Sequence, residues 1–241
     1  MKQSRWQCRR NKAKASRACP STRRGWLAHW RASLRAVEEK VHKLKDAGEM
    51  YGRFTEVVFD NEQVDKSNEF LLLIEDMYLT HMLVGLRTLD DTDLRSHSLY
   101  NLIEEVLDHR EYLPRKRFID RWGRRLARKG REVYENDWGT GDYPARSRVQ
   151  NDLSRLKRAC KQIRPIVNQH IAHTDRRRRK RRLNLGRMSE AIGTMYELWQ
   201  RYSRLVRGYA PTHPSKRWEE ILDKPIRGRQ AASRGPEPGR V

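Results

Sequence analysis

Residues 68–89 constrain the fold more than any other stretch. They carry Phe70, Leu71, Ile74, Met77, Tyr78, Met82, Leu86 and Leu89, with further leucines filling a second face. Apolar residues three and four apart describe a helix, because such positions recur on one side of a 3.6-residue turn. A helix apolar over most of its circumference is expected at the centre of a bundle. Glu75, Asp76 and His81 interrupt the stretch, so it does not read as a membrane span. No segment shows strand alternation and none repeats at a fixed period. The expected fold is therefore an all-α bundle of five to seven helices.

The other elements follow from the same spacing. Trp26, Trp30, Leu34, Val37, Val41 and Leu44 place one buried stripe on a helix from residue 26 to about 47, and Gly48 and Gly52 break it from a short segment at 53–63. Ser98 is placed to cap a helix bearing Leu99, Leu102, Ile103, Val106 and Leu107. Residues 115–134 read as one basic helix, 135–147 as a loop, and 149–167 as a helix that Pro165 must kink or interrupt. A last helix runs through 188–206. This divides the chain into a basic, disordered arm at 1–25, a helical bundle at 26–206 and a loose Pro/Gly/Arg-rich tail at 207–241.

Charge separates these parts. The net charge is +22, from 53 Lys and Arg against 31 Asp and Glu. Residues 1–35 hold eleven basic side chains and no acid, and seven more stand together as Arg176, Arg177, Arg178, Arg179, Lys180, Arg181 and Arg182. The rest of the chain is nearly neutral. Two cationic segments on a neutral body favour polyanions through counterion release, and arginine forks suit phosphate oxygens. We expect the 176–182 run to contact nucleic acid. Cys8, Cys19 and Cys160 form no CxxC pair and no complete disulfide framework, which fits a reducing cytoplasm. The acid-free, Arg-rich start also has the composition of a transit peptide.

The basic run is preceded by Asn168, His170 and His173. Histidine is the side chain best suited to move protons near neutral pH, and a phosphate drawn to the run would meet it there. The plainer reading is that these histidines stabilise the negative end of a helix. His170, His173 and Asp175 match no zinc spacing and no cysteine pair completes them, so no metal or cofactor is expected. Glu104/Glu105 and Glu219/Glu220 are adjacent pairs pointing apart, and Gly139-Thr-Gly141 is too short to cradle phosphate. Arg87, near the end of the apolar helix, needs an anion: Asp90 or Asp91, or a bound ligand.

Asn-Gln-His-Ile-Ala-His-Thr-Asp at 168–175 resembles the signature of HEPN domains, an Arg followed by Asn and then four to six residues before a His. Arg87-Thr-Leu-Asp90 and Ser98-Leu99-Tyr-Asn-Leu102-Ile103 are similar to segments of the AbiU-type branch, named for phage abortive infection, and the likeness spans roughly residues 36–206. The resemblance implies a helical bundle, often a homodimer, and in active members metal-independent RNA cleavage by a toxin held by a cognate antitoxin. Carried over, His173 takes the histidine role and Asn168 the polar one. The position before Asn168 is Val167, where the family's Arg would stand. The cation would then come from Arg164, which precedes His170 by six positions, from Arg87, or from the run. The alternative is a non-catalytic module of the same fold that binds RNA.

Overall fold

The computed structural model describes residues 20–61, 68–161, 163–167 and 185–209. Among these residues the chain is all helix and loop, with no strand. The helices are α1 (Arg23–Phe59), α2 (Glu69–Leu89), α3 (Leu99–Asp108), α4 (Arg115–Asp120), α5 (Gly123–Trp138), α6 (Arg146–Cys160), α7 (Ile163–Val167) and α8 (Leu185–Arg207), with a 3₁₀ turn at Arg110–Tyr112. The all-α bundle expected from the spacing is the fold, with eight α-helices among the described residues against the five to seven expected.

The centre of the bundle is the α1–α8 pair. Trp30, Leu34, Val37, Val41 and Leu44 of α1 are fully buried against Met195, Leu198, Trp199, Tyr202 and Leu205 of α8. Trp199 receives His42 edge-on at 4.9 Å, and Arg207 closes the far end by donating to the Glu38 carboxylate at 2.6 Å. Helix α1 starts at Arg23, capped by the Thr22 hydroxyl, and runs without interruption through Gly48 and Gly52. The expected break is absent because Tyr51, one position away, is buried and stacks on Tyr78 of α2 at 3.8 Å. Tertiary contact of this kind overrides a local propensity cost of about 1 kcal/mol per glycine.

The position of α2 corrects the expectation drawn from its composition. Only Met82, Leu83, Leu86 and Leu89, all in its second half, are buried. Phe70, Leu72, Leu73 and Met77 are all more than half exposed. The helix lies at the flank of the bundle, packed by one face on α1 and α7, and presents its other apolar face to solvent.

Two further boundaries differ from the pattern. The stretch 115–134 divides at Gly123, whose φ of 68° lies in the left-handed region that costs other residues about 1–2 kcal/mol. The loop expected from residue 135 begins only at 139, because Trp138 is fully buried, edge-on to Tyr202 and beneath the Arg201 guanidinium. Arg201 in turn donates to the buried Asp152 carboxylate at 2.8 Å, and the Tyr202 hydroxyl donates to its second oxygen at 3.3 Å. Burial raises the Asp152 pKa, with the Arg201 charge and the Tyr202 hydrogen bond acting against it. Pro165 falls in the first turn of α7, where its missing amide has no intrahelical acceptor to lose, and the interruption sits just before it.

Candidate functional site

Four helices converge on one buried carboxylate. Asp90 caps the C-terminus of α2, its amide donating to the Leu86 carbonyl at 3.1 Å, and it is 1% exposed. A carboxylate there faces the negative end of the helix dipole and needs a compensating cation. Arg164, in the first turn of α7, supplies it as a two-pronged fork: Nη2 donates to Oδ1 at 2.7 Å and Nε donates to Oδ2. The hydrogen bond to Asp90 raises the Arg164 pKa above its ordinary value. Planar guanidinium and carboxylate match in geometry, so the pair fixes orientation as well as distance.

The Cys160 thiol, at the end of α6, lies against the same carboxylate. Burial, then the Asp90 charge, pushes its pKa up to about 12, so it stays protonated and inert. Tyr100 of α3 adds a third wall. Its hydroxyl donates to Glu104 Oε1 at 3.0 Å, and Lys157 of α6 sits 5.3 Å from its ring centroid.

The 90–98 connection is held just as closely. Ser98 accepts from the Asn101 amide at 3.0 Å as the α3 cap and donates to the Asp91 carbonyl at 2.6 Å. The Asn101 side-chain amide donates to the carbonyls of Asp93 and Ser96. Leu99, Leu102 and Ile103 are core residues. The segments 87–90 and 98–103 thus form one scaffold, and Arg164 ties it to α7.

Arg87 is elsewhere. It stands partly exposed on the last turn of α2 and has no ion pair among the described residues. The pairing expected between Arg87 and Asp90 does not form, because Asp90 is taken by Arg164. Asn168, His170, His173, Arg176, Arg177, Arg178, Arg179, Lys180, Arg181 and Arg182 lie outside the described residues, as does the Val167 side chain. What is defined is where their segment leaves and rejoins the bundle, at the end of α7 and the start of α8.

Between α6, α7 and α8 lies a cleft of about 450 Å³ lined by Arg155, Arg158, Ile163, Arg187, Glu190 and Thr194 among others. Arg155 donates to Glu197 at 2.8 Å. Three arginines and one carboxylate line the cleft, and of the arginines Arg155 is already paired with Glu197 and lies 4.0 Å from Asp152.

The model of the HEPN family AbiU2 matches residues 23–224. The chain belongs to the AbiU2 family of HEPN domains. No curated protein and no solved structure matches it. In this AbiU2 domain the family match begins at the first residue of α1 and runs past the last described helix, α8. Among its described residues no helix is long and apolar enough to cross a membrane, and no cluster of three metal-ligating side chains is present.

The Asp90–Arg164–Cys160 cluster is what reasoning from spacing missed. Each residue stood out singly, but the pairing joins positions 74 apart in the chain. The available signal was that Asp90 ends an apolar helix while Arg164 and Cys160 end another helical run.

Proposed function

We propose that this AbiU2 protein acts on RNA in abortive infection, as a metal-independent endoribonuclease with His173 as its acid–base group. The supporting observation is the cleft walled by Arg155, Arg158 and Arg187, which opens between the helices that bracket residues 168–184. A polyanion drawn into it lies at the root of the segment that carries Asn168 and His173.

In this reading the ribose 2′-oxygen attacks the adjacent phosphorus as its proton is withdrawn. The P–O5′ bond breaks, and the leaving oxygen takes up a proton, leaving a 2′,3′-cyclic phosphate and a 5′-hydroxyl. His173 moves a proton, Asn168 holds the phosphate or the imidazole, and the 176–182 run offsets the developing negative charge. Arg164 acts as a positioning residue: clamped by Asp90, it sets the direction in which the chain leaves α7. His170 lies on the same segment and is the neighbouring proton carrier.

One observation favours a second reading, binding without cleavage. Val167 stands where the family's motif has Arg, and Arg164, the nearest arginine, is engaged by Asp90. The two readings separate in one assay of the full chain with single-stranded RNA in EDTA. Cleavage lost on His173→Ala supports catalysis. Salt-dependent binding without cleavage supports the second reading, and neither binding nor cleavage rejects both.

A further inference from the structure

Four arginines meet where α1, α4 and the end of α8 come together. Arg23 and Arg31 flank Leu27 on α1, four positions to each side. Arg117 lies in α4, and Arg121, four positions on, is its C-cap residue. Like charges four apart on a helix repel, and the fold then sets the two pairs against each other. Burial first, and then the charges of Arg117, Arg31 and Arg23, push the Arg121 pKa down to about 10. None of the four forms an ion pair with a carboxylate among the described residues.

The two inner guanidinium groups are held by neutral carbonyls. Arg121 Nη1 donates to the Leu205 carbonyl at 3.1 Å, and Arg23 Nε donates to the Tyr112 carbonyl at 3.0 Å. The Arg121 stem lies against Gly208, where a β-carbon would come within 2.8 Å of Cδ and where φ is 93°. Each guanidinium carries five donors, so these contacts leave most of them unspent. Arg23 Nη2 is buried with no hydrogen-bond partner. Beside these groups is a recess of about 10 Å³ lined by Leu27, Tyr112, Arg117, Phe118, Arg121 and Leu205 among others. It has room for about one water-sized group. Arg31 and Arg117 are exposed at the surface.

We propose that this arginine cluster binds a doubly charged phosphate group, either free phosphate or the monoester of a small molecule. Guanidinium donors suit phosphate oxygens, and one oxygen fits the recess while Arg31 and Arg117 face those left outside. Four converging cations call for two negative charges on one centre, which a monoester carries near neutral pH and a nucleic-acid diester does not. The cluster is at the end of α8, and Leu205 stands twenty residues, roughly 30 Å, from Leu185 at its start, where residues 168–184 rejoin the bundle. It is therefore separate from the chemistry proposed for His173 and independent of whether the chain cleaves RNA.

Isothermal titration calorimetry on the full, nuclease-treated chain at pH 7.5 and fixed ionic strength tests this, with inorganic phosphate in one arm and AMP in the other. At least one should bind saturably below about 10 mM, and the tighter of the two names the source. The dinucleotide d(ApA), whose only phosphate is a singly charged diester, should bind at least about tenfold more weakly than that ligand. Arg117→Gln and Arg31→Gln should each weaken its binding by about tenfold or more, as loss of a charge-assisted hydrogen bond does. Both side chains are exposed, and removing either relieves repulsion, so neither variant should melt lower than the parent in phosphate-free, low-salt buffer. Arg158→Gln, in the cleft between α6 and α8, should leave binding unchanged. Four results would overturn the proposal: no saturable binding in either arm, binding untouched by Arg117→Gln and Arg31→Gln, an equal loss in Arg158→Gln, or d(ApA) binding as tightly as the monoester or free phosphate.

Discussion

Replacing Arg164 by Met keeps its aliphatic bulk and removes the guanidinium that holds Asp90. The carboxylate left behind is 1% exposed, caps the negative end of α2 and abuts the Cys160 thiol. Removing one partner of a fully buried pair costs about 3–5 kcal/mol, because the other charge stays desolvated. The Arg164 side chain is itself 39% exposed, so water already shares its charge and the figure must be discounted. We expect Arg164→Met to destabilise the chain by about 2–3 kcal/mol, a fall of about 4–12 °C in melting temperature for a domain of this size. Asp90→Asn in the Arg164→Met background removes the stranded charge and should add little further cost. A double-mutant cycle in urea, followed by circular dichroism, should therefore give a coupling of about 2 kcal/mol. Additive single effects, or an Arg164→Met cost below about 0.5 kcal/mol, would refute the reasoning that this pair carries the junction of α2 with α7.

Further outcomes follow from other parts of the structure. Native-state alkylation of Cys160, read on its own peptide by mass spectrometry, should run about 1000-fold slower than in the urea-unfolded chain, since its pKa is pushed from 9.0 up to about 12. The sign for stability is the same: the folded chain holds this proton more tightly, so the contribution is full below about pH 9 and is lost as pH rises towards about 12. Gly85→Ala would set a methyl 2.5 Å from Leu44 Cδ2 in the α1–α2 contact. About 2 kcal/mol of overpacking less about 1 kcal/mol of helix propensity should leave a net loss of about 1 kcal/mol in chemical denaturation. Neutralising Arg176, Arg177, Arg178 and Arg179 to Gln should lower the slope of log affinity for single-stranded RNA against log salt by about 3, from about 0.7 per phosphate contact. An unchanged slope would remove the run from the interface.

The stripes on α1, α3 and α8 were legible because each buries a single face, and a one-faced helix writes its burial directly into a 3.6-residue period. Ser98 was legible as a cap because the hydroxyl acts within three residues. By contrast, α2 misled: apolar residues on two faces read equally well as a central helix and as a flank helix that leaves one face exposed. Spacing carries no information on which neighbour covers which face. The boundary at Gly123 depends on one backbone angle and that at Trp138 on one buried indole, the second set by tertiary contact. At the candidate site, Arg87 was visible as a cation needing an anion, and Arg164 as a possible source of the motif's missing cation. Which of them takes Asp90 follows from the approach of α7 to the end of α2, a contact between distant positions that local sequence does not encode. His173, Asn168 and the basic run were legible as a motif and remain proposals about chemistry.

The most direct test of the proposed activity is the product of RNA cleavage. Single-stranded RNA incubated with the full chain in EDTA should yield fragments ending in 2′,3′-cyclic phosphate and beginning with 5′-hydroxyl, and His173→Ala should reduce the yield by about 100-fold or more, the usual worth of a general acid–base group. Cleavage that needs a divalent metal, fragments with 5′-phosphate, or full activity in His173→Ala would contradict it.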